Sequence, residues 1–527
     1  MSAKEIALGL LAGIAINATA QAADIDHVLL ISVDGLHALD VANYVESHPG
    51  SALAELAEHG VTYSAARTPA NSDSFPGLLA LVTGGSPITH GLFYDVSYDR
   101  KVFDPTNTNC SGGAGNTMVF DESVDQYGPG QVSLNKIDPT KLPRVRNQLG
   151  QCVPFFPHDA MRTNTIFEVV KSKGGRTAWA DKHPAYDLVN GPSGKGVDDL
   201  YTPEITNVGG FDATVSVDCT VINDEKKVVG IINEIHGRKH DGSPGQGTPT
   251  VFGMNFQGVS VGQKVSHDNG NGTCPQSIHT GMPGGYLDGA GTPTPVLAYA
   301  LQKTDEALGD MIKALKQQGI YESTLFIVTA KHGQSPINPV KINKPGHFAD
   351  LVATLPDAAT NPGGIAIANA NACSTGPCGF VQDDDIALIW LQDQSKTKAV
   401  VDYLNANAKA LFIDEVLGGD EIELKFNSPK NDSRVPDVIV QPIYGTVYTP
   451  STAKNAEHGG MSFGDTNVGL VVSNPRLHGS VLKTPVITSQ VAPTILRALG
   501  IDPDELNSVR VEQTKVLPGL WGEQHDR

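Results

Sequence analysis

Apolar runs alternate with amphipathic stretches along much of this chain. Within His27-Val-Leu-Leu-Ile-Ser-Val33 every residue but His27 and Ser32 is apolar, the pattern of a strand buried on both faces. Ser51 to His59 predicts a helix, residues 71–93 predict another, and Thr165 to Lys173 a short one. Arg176 to Ala180 predicts a strand. Between Thr304 and Gln318 the apolar residues Leu308, Met311, Ile312 and Leu315 recur at i, i+3, i+4 and i+7, so this segment is an amphipathic helix. It leads into a second apolar run, Ser323 to Ala330. Further strands are expected at Ile386–Leu391, Val435–Val440 and Val468–Ser473. Helices alternating with buried strands predict an α/β fold, a mostly parallel central sheet with helices on both faces.

Two stretches break the alternation. From about 95 to 160 the chain is rich in Gly, Asn and Pro with little periodicity, and about 335–455 carries strands of its own. Both are expected as insertions into one domain spanning 23–527. The first 22 residues read as a secretory signal: Ala7 to Ala15 is apolar and Ala20-Gln21-Ala22 is a cleavage site, which predicts a secreted or periplasmic protein. That apolar stretch is too short to span a bilayer, and no other transmembrane candidate occurs. The six cysteines suit an oxidising compartment. Cys373 and Cys378 flank a short turn and are expected to bridge, whereas pairing of Cys110, Cys152, Cys219 and Cys274 is open. No Cys-x-x-Cys occurs, which argues against a thiolate zinc site. Asn109, Asn271 and Asn431 head glycosylation sequons. A net charge of −19 argues against binding a nucleic-acid polymer, because phosphate contacts need Lys and Arg.

Candidate chemistry sits where strands end. In parallel α/β sheets ligands bind beyond the carboxyl ends of strands. Asp34 ends the first run, and Lys331-His332-Gly333 ends the run from Ser323. Asn71-Ser72-Asp73-Ser74-Phe75-Pro76-Gly77 precedes Leu81-Val82-Thr83-Gly84, Pro87 and His90-Gly91. Glu457-His458-Gly459 precedes the 468–473 strand. A hydroxyl at a helix N-terminus, such as that of Ser74, can act as a nucleophile or merely cap the helix.

These motifs, in this order, resemble the type I phosphodiesterase/nucleotide pyrophosphatase branch of the alkaline phosphatase superfamily. The resemblance covers most of 27–100, 300–334 and 456–520, including Thr488–Leu496, Leu499-Gly500 and Leu517-Pro518. It implies an alkaline phosphatase-like fold and a hydrolase acting on a small-molecule ester. Ser74 falls on the nucleophile, and Asp34, Ser74, His332 and His458 fall on metal ligands. The family's metals are zinc ions, two in a complete site.

The pattern departs from the family in three places. Lys331 replaces a ligand Asp. Gln257 and Gln263 fall near the positions of a further Asp and His, and amides are poor zinc ligands. Asp95 stands where the family has an Asn that donates to phosphate; a carboxylate only accepts and repels the anion. It could ligate a metal, pair with Lys331 or be protonated. Three outcomes follow. One divalent metal, zinc for preference, binds Asp34 and His332, with Lys331 supplying the missing charge and stabilising the reaction. Alternatively, a metal-free Ser74–Lys331 pair hydrolyses an ester or amide. Or the site only binds a ligand, blocked by an Asp95–Lys331 salt bridge. A Cys/Ser-x-Pro-x-Arg sulfatase motif is absent around Ser74. Lys182 and His183 follow a predicted strand and are expected to form a solvated turn, with a pocket role as the alternative.

Overall fold

His27–Val33 forms a strand whose residues from Val28 on are buried. Successive side chains point to opposite faces: Val28 and Leu30 join one hydrophobic cluster, and Leu29, Ile31 and Val33 join another. Both faces of the sheet are therefore covered, as a continuous apolar run requires. The structure, a computed structural model, describes residues 25–118, 124, 136–207, 211–270, 277–370 and 378–521. The expected signal segment, Asn271, Cys274 and Cys373 lie outside the described residues.

The central sheet has eight strands in the spatial order Ser480–Leu482, Gly60–Tyr63, Val471–Ser473, Thr324–Thr329, His27–Val33, Val251–Phe256, Thr177–Ala180 and Asp199–Tyr201. Five of the seven pairings are parallel; Val471–Ser473 runs antiparallel to both neighbours. The register aligns Ser32 with Thr329, Val33 with Phe256, and Met254 with Ala180. Four adjacent strands thus end together, and the residues just beyond them are Lys331-His332, Asp34, Gln257 and Asp181-Lys182.

The helix expected at 304–318 begins nine residues earlier and spans Pro295–Gln318. Thr294 caps it, Pro295 occupies its first turn, and Val296, Leu297, Ala300 and Leu301 extend the same buried face. The Val217–Ile235 helix was not expected from the pattern, because Asp218, Asn223, Asp224, Lys227 and Glu234 are buried among its apolar residues and blur the periodicity. Phe380–Asp383, Ala387–Trp390, Val438–Pro442 and Ile413–Gly418 form a separate antiparallel sheet. One face of it packs on Phe93, Tyr94 and Tyr98, beside the carboxyl ends of the main sheet. Cys110 and Cys152 are disulfide-bonded, and Cys378 is also in a disulfide. No helix among the described residues is long and apolar enough to cross a membrane.

Candidate active site

Ser74 opens the Ser74–Thr83 helix, with Asp73 in the extended conformation before it. Gly77 brings this helix against the Lys331 backbone: a Cβ on Gly77 would lie 1.9 Å from the Lys331 carbonyl oxygen. Any larger residue would push the helix N-terminus off the strand end. With the helix seated, Ser74 Oγ lies 3.2 Å from His332 Nε2. His332 Nδ1 lies 2.8 Å from the Gly333 carbonyl. A carbonyl only accepts, so Nδ1 carries the proton and Nε2 of the neutral ring is bare. Ser74 therefore donates to His332.

The second partner of Ser74 is Lys182. Its Nζ donates to Ser74 Oγ at 3.3 Å, to Asp34 Oδ2 at 3.2 Å and to Gln257 Oε1 at 3.1 Å. Asn255 Nδ2 also donates to Asp34 Oδ2, at 3.2 Å, and His332 Nε2 lies 3.6 Å from the same oxygen. Burial would push the Asp34 carboxyl up, but Lys331 and Lys182 together hold it well below the usual carboxylate range.

Lys331 engages Asp181 and Tyr186 rather than Ser74. Its Nζ donates to both oxygens of Asp181, at 3.1 and 3.2 Å, sits 3.9 Å from Asp34 Oδ2, and lies over the Tyr186 ring, 4.0 Å from its centre. Asp181 is fixed in turn by the Trp179 indole N–H at 3.0 Å. Burial lowers the Lys331 ammonium against the pull of Asp181 and Asp34. Its salt bridge is thus with Asp181. Asp95 Oδ1 instead accepts the Phe75 amide at 2.8 Å, and the Asp95 amide donates to Asp73 Oδ2 at 2.6 Å.

His458 stacks on His332 with ring centres 3.8 Å apart. Its Nδ1 lies 2.7 Å from Asp73 Oδ1, but the two atoms are not aligned as a hydrogen bond. Burial, with the Lys264 ammonium nearby, holds the His458 ring neutral, well below the ordinary histidine range. Burial also raises the Asp73 carboxyl.

Two expectations need correction. Lys182 and His183 are not in a solvated turn: they are 4% and 1% exposed. Polar runs after strands usually face water, but here a short buried helix, Pro184–Asn190, follows at once, Lys182 pairs with Asp34, and His183 Nδ1 lies 2.6 Å from Glu204 Oε1. Gln263, expected near a ligand position, lies outside the Lys182 cluster, near the end of the Gly258–Lys264 helix. Its amide donates to the Gly35 carbonyl and to Tyr286 Oη, both at 2.9 Å. Asp181 and Asn255 joined the cluster without having been singled out in the sequence. Their signal is position alone, at or just beyond the carboxyl ends of parallel strands.

The donor set does not fit the expected metal. Zinc needs His, carboxylate or thiolate donors converging at about 2.0–2.3 Å. Here Asp34, Ser74 and Gln257 converge on an ammonium. Among the described residues no group of three or more His, Cys, Asp or Glu side chains is placed to hold a metal ion.

Above the cluster opens a cavity of about 640 Å³, lined by Lys182, Gln257, His458, Asp95, Lys264 and Asp384 among others. Ser74, Asp34, Lys331 and His332 are fully buried beneath it.

A model of the type I phosphodiesterase/nucleotide pyrophosphatase family matches residues 28–193 and 268–462. Comparison with curated protein sequences finds no significant match. Two solved structures of murine ectonucleotide pyrophosphatase/phosphodiesterase 5 are similar in fold. One is an inactive variant in complex with AMP, at 15% identity, covering 91% of this chain and 96% of that one with a TM-score of 0.52. The other is at 16% identity, covering 90% and 96%, also with a TM-score of 0.52. The family normally depends on divalent metal, which sets this chain's lysine-filled centre apart. With more than half its length matched, the chain belongs to the type I phosphodiesterase/nucleotide pyrophosphatase family, and with it to the phosphodiesterase-type hydrolases.

Proposed function

We propose that this protein is an exported hydrolase that cleaves a small phosphate diester through Ser74. The observation that carries the proposal is the pair of contacts on Ser74 Oγ, a bare imidazole nitrogen at 3.2 Å and an ammonium at 3.3 Å. The first can take the hydroxyl proton; the second stabilises the oxygen as charge grows on it.

Ser74 Oγ attacks phosphorus as its proton passes to His332 Nε2. The new Oγ–P bond forms while the ester P–O bond breaks, and the leaving alkoxide, on the far side of phosphorus, takes a proton from water in the cavity. Water then attacks the Ser74 phosphodiester from that side, releasing its proton to the cavity. The Oγ–P bond breaks, and Ser74 Oγ takes its proton back from His332 as phosphomonoester leaves. Asp34 faces His332 Nε2 at 3.6 Å and favours the transient imidazolium. No step needs a bound metal.

The likeness to a structure solved with AMP supports a nucleotide-type ester as the first substrate to try. Export is supported by the signal-like N-terminus and by the Cys110–Cys152 disulfide. The deciding experiment incubates wild type and Ser74→Ala with bis(4-nitrophenyl) phosphate and reads nitrophenol release together with the mass of the Ser74 peptide. Turnover by wild type alone, with a 4-nitrophenyl phosphoryl group trapped on Ser74, supports the proposal. Equal turnover by both proteins removes Ser74 from the chemistry. No turnover by either would leave a protein that only binds its ligand, an outcome suited to a buried Ser74 and to Asp95 holding the Phe75 amide.

A further inference from the structure

We infer that Lys182 is the cation of this centre, standing where relatives keep metal, and that its ammonium takes up a phosphoryl oxygen from the cavity. The inference deepens the proposal above and rests on it only for the choice of a phosphate ligand.

Three observations carry it. First, Lys182 gathers groups from both halves of the family's site. By the family resemblance Asp34 and Ser74 fall on the first metal position and Gln257 near the second, and Lys182 Nζ donates to all three. One ammonium thus joins what two ions would otherwise hold apart. Second, Lys182 lines the cavity, while the groups it binds include the fully buried Asp34 and Ser74. A ligand entering the cavity meets Lys182 before it meets the nucleophile. Third, Lys331 cannot take this role, because both oxygens of Asp181 and the Tyr186 ring engage it. It is a positioning residue that balances Asp181 and Asp34.

The four charges Asp34, Asp181, Lys182 and Lys331 sum to zero in this arrangement. A divalent ion added beside Asp34 would stand near two ammoniums. Each such contact at about 4 Å is unfavourable by several kcal/mol at a protein-like dielectric. Metal and Lys182 are therefore alternatives, and the sequence has chosen the lysine. An ammonium keeps three donors and rotates freely, so it can exchange the Gln257 carbonyl for a phosphoryl oxygen while holding Asp34 and Ser74.

The test is calorimetric binding of inorganic phosphate to the full-length wild type, with and without chelator, with metal content read by plasma mass spectrometry. The expected result is binding that changes less than about twofold on chelation, in protein holding well under one divalent ion per chain. Lys182→Met should weaken binding about tenfold or more, and Lys182→Arg should recover most of it. Loss of binding on chelation would overturn the inference. So would absence of phosphate binding to wild type, or a Lys182→Met variant that binds as wild type does. The chelator arm uses wild type alone, so it decides the matter even if Lys182→Met fails to fold. Failure of the hydrolase proposal looks different: chelator-resistant, Lys182-dependent phosphate binding without turnover of bis(4-nitrophenyl) phosphate would sink hydrolysis and leave this inference standing.

Discussion

Two lysines are buried on either side of the carboxyl end of the Val251–Phe256 strand. Lys227 Nζ pairs with Asp224 Oδ1 at 2.9 Å and donates to the Asn255 carbonyl at 2.6 Å. Asp224 accepts the Gln257 and Gly258 amides in turn. That cluster ties one helix to the strand end and contains no nucleophile. Lys182, on the other side, shares its donors among a carboxylate, an amide and a hydroxyl, and one side of it meets a cavity. Burial beside a carboxylate is common to both, so it does not mark function. The difference lies in what else the ammonium touches and whether a ligand can reach it.

The sharpest way to break the contrast is Ser74→Ala. If the Lys182 side is an active centre, turnover of bis(4-nitrophenyl) phosphate falls by about 10⁴ or more, because the variant has no covalent route. Circular dichroism should stay that of wild type. A loss under about tenfold would make the hydroxyl a cap of the Ser74–Thr83 helix and nothing more.

Lys182→Met and Lys227→Met compare the two sites directly. Lys182→Met is expected to lower kcat/KM by about 10²–10³. Lys227→Met leaves Asp224 buried without its counter-ion, which costs about 3–5 kcal/mol. Denaturant unfolding separates the outcomes: the first variant loses turnover out of proportion to stability, and the second loses stability out of proportion to turnover in its folded fraction. Equal stability losses with equal turnover losses would erase the distinction.

The two sides also differ in how far the sequence reveals them. The parts contributed by His27–Val33, Ser74–Thr83 and Thr324–Thr329 follow from apolar runs that stop at charged or small residues. Asp34, Ser74 and His332 were placed from that pattern and from a family resemblance, and the structure brings all three together. Gly77, which seats the helix on Lys331, is visible as a residue, but its contact is not. The parts contributed by Thr177–Ala180 and Val251–Phe256 were harder. Asp181-Lys182-His183 looks like an ordinary polar turn, and only the order of strands shows that it ends beside Asp34. Lys331 was marked as the anomaly that would serve Ser74, yet it engages Asp181 while Lys182 reaches the hydroxyl. A sequence shows that a cation is near; which of two lysines turns inward depends on packing against Tyr186 and Trp179. Gln263 was aligned with a ligand position across an insertion, but the Gly258–Lys264 helix turns it toward Gly35 and Tyr286.

Asp95 tests the anion side of the comparison with a smaller effect. Its carboxylate holds the Phe75 amide at the helix N-terminus, where a phosphoryl oxygen would otherwise be welcome. Asp95→Asn keeps an acceptor for that amide, adds a donor and removes a negative charge. The expected outcome is a gain in kcat/KM of about tenfold, mostly through KM. Steady-state kinetics on bis(4-nitrophenyl) phosphate reads it. A loss would mean that Asp95 holds Ser74 in place through the Phe75 amide and that its charge is needed there.

The smallest effect sets two carboxyls of the same region against each other. Lys331 and Lys182 keep Asp34 ionised, whereas Asp384, on the cavity wall, is pushed up to about 8 by burial and by the nearby Glu457, against the pull of Lys454 and Lys264. Tyr94 Oη donates to Asp384 Oδ2 at 2.9 Å, a bond that an amide oxygen can also accept. The folded-state value lies above the ordinary 3.8. The folded protein therefore holds a proton that the unfolded chain has released. The stabilisation from this group is full below about pH 4 and is lost as pH rises through about 8. Asp384→Asn is neutral at every pH and removes that decline. Its melting temperature should match wild type near pH 4 and exceed it above pH 8, by several degrees in thermal unfolding read across that range. A difference that is flat with pH would show that Asp384 is ionised in the folded protein, so that burial alone does not separate it from Asp34.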